Sequence, residues 1–137
     1  MMVLYALYFL FSLFISILDM KNGAVSRFLL WGALLFFFTA RCFMPGGIRE
    51  PVIGGALGII VFLSAFFISG KRLGLADVWY AALSGIVLGP LWWYPAVLLS
   101  CAFGFLFIVI SRRRSIPFIP CMAAGSGAIL ILAFLER

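Results

Sequence analysis

Residues 2–19 read MVLYALYFLFSLFISILD, an uncharged, largely apolar run from Met2 to Leu18 closed by an aspartate. A helix needs about 17–25 apolar residues to cross a hydrocarbon core of about 30 Å, and this run meets that length. It lacks the period-two alternation of a membrane-spanning strand. It also lacks a basic leading segment and a small-residue cleavage site, so it reads as a retained span rather than a cleaved signal peptide. Moving outward, the same ruler finds further runs at 28–44, 52–69, 73–89, 91–110 and 118–135. Arg41 falls inside the second and is expected to snorkel to an interface. Gly89-Pro90 reads as a tight break between the fourth and fifth. The expected fold is an all-α integral membrane protein with six transmembrane helices and a single membrane-embedded domain over 1–137.

Composition agrees. Hydrophobic residues make up 66% of the chain and charged residues 10%, with mean hydropathy +1.28. About 25% charge is usual for a soluble domain. A water-soluble enzyme, a disordered segment and a disulfide scaffold are excluded together. The chain has no His, which removes catalytic triads and imidazole-held metals. Cys42, Cys101 and Cys121 are far apart, form no C-x-x-C pair and read as small buried hydrophobes. No metal and no cofactor is expected.

The net charge of +6 does not form a basic, aromatic-interleaved patch, so nucleic acid is not an expected partner. The basic residues instead face lipid headgroups and set direction. With the N-terminus outside, Lys21, Arg27, Lys71, Arg72, Arg112, Arg113 and Arg114 fall inside, whereas Arg41, Arg49 and Arg137 fall outside. The positive-inside rule favours that orientation, with both termini outside. Arg112–Arg114 reads first as a topology anchor beside anionic lipid. The expected location is the cell's inner (cytoplasmic) membrane, crossed several times.

Four acids remain. Glu50 and Glu136 read as ordinary solvated residues. Asp19 closes the first span and Asp77 lies just inside the fourth, so the expected topology brings both to the inner face. Ionisable residues in membrane spans are costly and usually functional. Two readings are open for this pair. Asp19 can form an ion pair with Lys21 or Arg27, and Asp77 with Lys71 or Arg72. Alternatively, the two carboxylates share a proton in a low-dielectric pocket, one activating a water while the other donates to a carbonyl oxygen.

Three stretches resemble the type IV prepilin peptidase family, the membrane aspartic peptidases that include archaeal preflagellin peptidases. The first is Asp19-Met-Lys-Asn-Gly-Ala-Val-Ser-Arg27, similar to the family's Asp-x-Arg/Lys followed by Ile-Pro-Asn/Asp. Asp19 takes the catalytic position, Lys21 the basic one and Val25 the place of Ile; Ser26 and Arg27 depart. The second is Gly74-Leu-Ala-Asp77-Val, similar to Gly-x-Gly-Asp-Val. Gly74 and Asp77 match, Ala76 stands for the second glycine, and Trp79 stands where a Lys is common. Gly85 and Gly89 follow at the family's spacing. The third is Ile116-Pro-Phe-Ile-Pro120 with Ala123-Ala-Gly-Ser126, similar to Ile-Pro-Phe-Gly-Pro, with Ile119 in place of Gly.

The resemblance implies an aspartic endopeptidase with Asp19 and Asp77 as catalytic residues, supported by Lys21, Gly74 and Ala76. Its implied substrates are prepilin-like or preflagellin-like proteins, cleaved after a short basic leader at the cytoplasmic face. Nothing corresponds to the cysteine-bearing methyltransferase insertion of the larger bacterial enzymes, so the short form is implied. Two other readings stay open: a catalytically inactive relative, and a small transporter or proton-coupled subunit using Asp77. Substrate identity and oligomeric state are not legible in the sequence.

Overall fold

The computed structural model describes residues 1–112 and 118–136. Arg113, Arg114 and Arg137 of the charge tally, and Ile116 and Pro117 of the third stretch, lie outside the described residues. The chain forms α1 (Met2–Asn22), α2 (Arg27–Cys42), α3 (Arg49–Ile68), α4 (Leu75–Ser111) and α5 (Phe118–Leu135). Large apolar side chains such as Leu10, Leu35, Leu98 and Phe105 point outward. That surface is what lipid contact requires and water forbids. The protein is a multi-pass membrane protein.

The expected six transmembrane helices are not what forms. There are five helices, and four of them, α1, α3, α4 and α5, are long and apolar enough to cross a membrane. Two local causes account for the difference. α2 has 16 residues and so rises only about 24 Å, short of the hydrocarbon core. The separate spans 73–89 and 91–110 are replaced by one 37-residue element, α4, interrupted at Gly89 alone. Pro90 takes the first position after that interruption, where a missing N–H leaves no helical bond unmade. Gly89-Pro90 therefore joins two helical arms of α4 across a kink.

The bend is sharp. Trp93 Nε1 donates to Ser84 Oγ at 3.1 Å, although nine residues along a straight helix would separate them by about 13.5 Å. Residues 90–111 are thus folded back against residues 75–88. Gly89 sits at φ 74°, ψ 169°, a region that essentially only glycine occupies. A Cβ there would meet only Glu50 Oε2, at 3.8 Å. The barrier to any other residue is backbone strain and not crowding. Gly89→Ala is expected to cost about 1–3 kcal/mol, read as a lower midpoint of thermal unfolding in detergent.

α4 is the hub of the packing. α3 lies on its first arm through small residues: a Cβ on Gly54 would strike the Gly85 carbonyl, one on Gly85 would strike the Gly54 carbonyl, and one on Gly58 would strike the Ala81 carbonyl. Gly54 and Gly58 face Gly85 and Ala81, four-residue spacings on both helices that bring the two backbones into contact. α5 lies on the second arm, where a Cβ on Gly125 would meet the Ala96 carbonyl at 2.7 Å. α1 packs chiefly on α5, with Phe9 against Gly127.

Arg41 and Glu50 also behave differently from expectation. Arg41 is buried, 3% exposed, and its Nη2 donates to Glu50 Oε2 at 2.6 Å. Neither snorkelling nor free solvation describes them. The six-residue connection between α2 and α3 returns Glu50 to the guanidinium, which desolvation would otherwise make costly. Glu50→Ala is expected to destabilise by about 1–3 kcal/mol, less than a fully buried pair because the Glu50 side chain is 49% exposed. Glu50→Ala combined with Arg41→Met should recover most of that loss in the same unfolding measurement. Of the cysteines, Cys121 is buried, Cys42 intermediate and Cys101 exposed on the apolar surface.

Candidate active site

α1 ends and α4 begins at the same end of the molecule, because α2 and α3 form a return pair between them. Asp19 lies in the last turn of α1, where its carbonyl accepts the Gly23 N–H at 2.9 Å and closes the helix on a left-handed glycine. Asp77 is the third residue of α4. Its Oδ2 accepts the Gly74 N–H at 3.2 Å, while the Asp77 N–H donates to the Gly74 carbonyl at 3.1 Å. The side chain thereby caps its own helix, at the terminus where a negative charge is favoured.

Both aspartates are half-buried, one at the end of α1 and the other at the start of α4. The basic residues nearest in sequence, Lys21, Arg27, Lys71 and Arg72, are exposed. Among the described residues the one ion pair is Arg41–Glu50, so neither aspartate is joined to those cations. Of the residues expected to support the site, Gly74 holds Asp77 through its N–H, and a Cβ on Gly74 would come within 3.3 Å of Oδ2. Ala76 packs against the core. Lys21 stands exposed in the last turn of α1 without an acidic partner among the described residues. Trp79 stacks edge-on against Trp31 of α2, ring centroids 5.3 Å apart.

One group of residues was missed from the sequence. Behind the aspartates runs a buried hydroxyl cluster: Tyr80 donates to Ser12 Oγ at 2.7 Å, and Tyr8 donates to Ser126 Oγ at 3.2 Å. Ser16 donates to the Ser12 carbonyl at 2.7 Å and Ser126 to the Met122 carbonyl at 2.8 Å. Tyr8, Ser12, Tyr80 and Ser126 are each no more than 1% exposed. The signal was available in their spacing: Tyr8, Ser12, Ser16 and Asp19 lie at successive i+4, i+4 and i+3 steps on α1, and Tyr80 is three residues past Asp77.

A cavity of about 880 Å³ opens at the opposite end, between the start of α1 and the end of α5, walled by Met2, Phe9, Trp92 and Phe134. It holds none of the aspartates named above. A smaller apolar groove of about 390 Å³ lies between α1 and α2, walled by Phe11, Leu29, Ala33 and Phe37. No group of His, Cys, Asp and Glu among the described residues is arranged to hold a metal ion.

Comparison with known proteins bears on what such an arrangement belongs to. No solved structure matches the chain. A curated relative, the type 4 prepilin-like proteins leader peptide-processing enzyme of Escherichia coli O78:H11 (strain H10407 / ETEC), is 30% identical over an alignment covering 85% of this chain and 47% of the relative. The chain thus spans about half the length of that protein. Residues 6–109, which contain Asp19 and Asp77, match the model of the type IV leader peptidase family. The chain belongs to the type IV leader peptidase family.

Proposed function

We propose that this protein is a membrane aspartic endopeptidase that removes the short basic leader of prepilin-like or preflagellin-like proteins. Asp19 and Asp77 are the catalytic pair in this reading. The observation that carries it is their placement: two half-buried carboxylates from the end of α1 and the start of α4, joined to none of the neighbouring cations among the described residues. Lys21, Gly74 and Ala76 support the pair, and the Gly74 N–H that fixes the Asp77 carboxylate is the contact that favours this.

The chemistry needs neither metal nor cofactor. Adjacent carboxylates in a low-dielectric site hold one proton between them. The ionised member takes a proton from a water as its oxygen attacks the scissile carbonyl carbon. The protonated member donates to the carbonyl oxygen, giving a neutral gem-diol. Collapse breaks the C–N bond, a proton passes to the leaving amine, and a carboxylic acid and an amine are released. The pair titrates as a unit.

Charge supports the cytoplasmic side of the inner membrane as the location of this end. Lys21, Arg27, Lys71 and Arg72 cluster about the aspartates, whereas Arg49 and the ion-paired Arg41 lie at the other end. A substrate's apolar helix would rest in lipid beside the protein, with its leader junction at the basic end. Co-expression with a leader-bearing substrate tests the reading: the wild type should convert it to a faster-migrating form. If wild-type protein in membranes converts none of a panel of prepilin-like and preflagellin-like substrates, the assignment is wrong.

A further inference from the structure

We infer that the Tyr80–Ser12 hydrogen bond is the register pin of the active site, making Tyr80 and Ser12 positioning residues for the two aspartates. The inference rests on the peptidase reading of Asp19 and Asp77. It starts from the way α1 is held. That helix packs along α5 and meets α4 at few points, so apolar packing alone leaves its rotation and axial position against α4 weakly set. A side-chain hydrogen bond of 2.7 Å between Tyr80 and Ser12, with both residues buried, joins the two helices directly.

Its position gives it leverage. Tyr80 is one turn beyond Asp77 on α4, and Ser12 is seven residues, two turns, before Asp19 on α1. Both pairs of positions share a helix face. A slip of α1 by one residue would shift it about 1.5 Å axially and turn it about 100°, carrying Asp19 off the face that meets Asp77. The slip would also leave the Tyr80 hydroxyl without its partner in a buried, apolar setting, a state that is disfavoured. Ser12 is held in turn, since its carbonyl takes the Ser16 hydroxyl at 2.7 Å. Tyr8, whose hydroxyl oxygen is 3.5 Å from that of Tyr80, ties the cluster to Ser126 of α5. Tyr80 touches neither carboxylate through a hydrogen bond, so its action on the chemistry passes through helix placement.

The test compares Tyr80→Phe and Ser12→Ala with the wild type in two independent measurements. The first is processing of a leader-bearing substrate: each variant should lose about three- to twentyfold in kcat, the range set by one membrane-buried side-chain hydrogen bond, with KM within twofold. The second needs no activity. In a background with Cys42, Cys101 and Cys121 replaced by Ala, Asp19→Cys with Asp77→Cys should form a disulfide under mild oxidant. Adding Tyr80→Phe or Ser12→Ala should slow that reaction by a similar factor. Glu50→Ala, which removes the Arg41 ion pair at the other end of the molecule, is the control, expected to lower the unfolding midpoint and leave kcat and cross-linking unchanged. Wild-type kcat in both variants, an unchanged cross-linking rate, or an equal kcat loss in Glu50→Ala would each overturn the inference. A wild type that processes nothing would defeat the peptidase reading instead, and the cross-linking comparison would still decide the register claim.

Discussion

Asp77→Asn and Asp19→Asn should each abolish leader processing, by a factor on the order of 10³ or more, while the protein still accumulates in the membrane. Asn keeps the size of the side chain and can still accept the Gly74 N–H at the start of α4. It cannot exchange a proton with a water or a carbonyl oxygen. In a two-carboxylate mechanism either loss removes the whole proton relay, since one group must be ionised while the other is protonated. The double variant should be no slower than either single one, as expected for residues that act as a unit. Gel separation of precursor from processed substrate gives the rates, and a folded-protein assay gives the accumulation. Substantial processing by Asp19→Asn alone would exclude the pair and leave Asp77 to act by another route. An ion-dependent transport activity lost only on Asp77 substitution would point to the proton-coupled alternative.

Gly85→Val should have the largest structural effect. The Cβ of any residue at 85 would strike the Gly54 carbonyl, and Gly54 presents the same constraint to Gly85. Neither obstacle is the flexible end of a side chain, so relief requires α3 and the first arm of α4 to separate along the whole contact. The expected cost is about 3 kcal/mol or more, the upper range for overpacking a core. Loss of the Trp93 environment gives a fluorescence signal, because that indole is 1% exposed and bonded to Ser84. Gly32→Ala is the matched control. A Cβ there meets nothing within 4 Å, and the helical preference of Ala makes a neutral or slightly stabilising outcome the expectation.

The membrane class, the helical class and the peculiarity of Asp19 and Asp77 were legible because each depends on short-range pattern. An uncharged run has the length of a bilayer, and a carboxylate at its edge stands out against so few charges. Other features depend on where the chain returns. Gly89-Pro90 carries the residues of a helix stop, but the direction the chain takes after it shows only in the Trp93–Ser84 bond made across the kink. Arg41 looked like a residue seeking solvent because its partner is nine positions on, past two glycines and a proline. The four cations near the aspartates made ion pairs easy to imagine, but their side chains point outward. Tyr8, Ser12, Tyr80 and Ser126 are too mildly polar to stand out in apolar runs, and their joining across three helices is visible only once the helices are packed.

The packing of α1 also constrains the order in which the molecule can be assembled. α1 leans mainly on α5, through Phe9 against Gly127 and Tyr8 against Ser126, yet α5 is synthesised after α2, α3 and α4. Until α5 has been inserted, α1 therefore lacks the helix it packs on most and is held by its contacts with α2 and α4. On the peptidase reading, the α1 side of the site is fully braced only at that late step, so a partly made chain carries Asp19 and Asp77 without the complete packing that holds them.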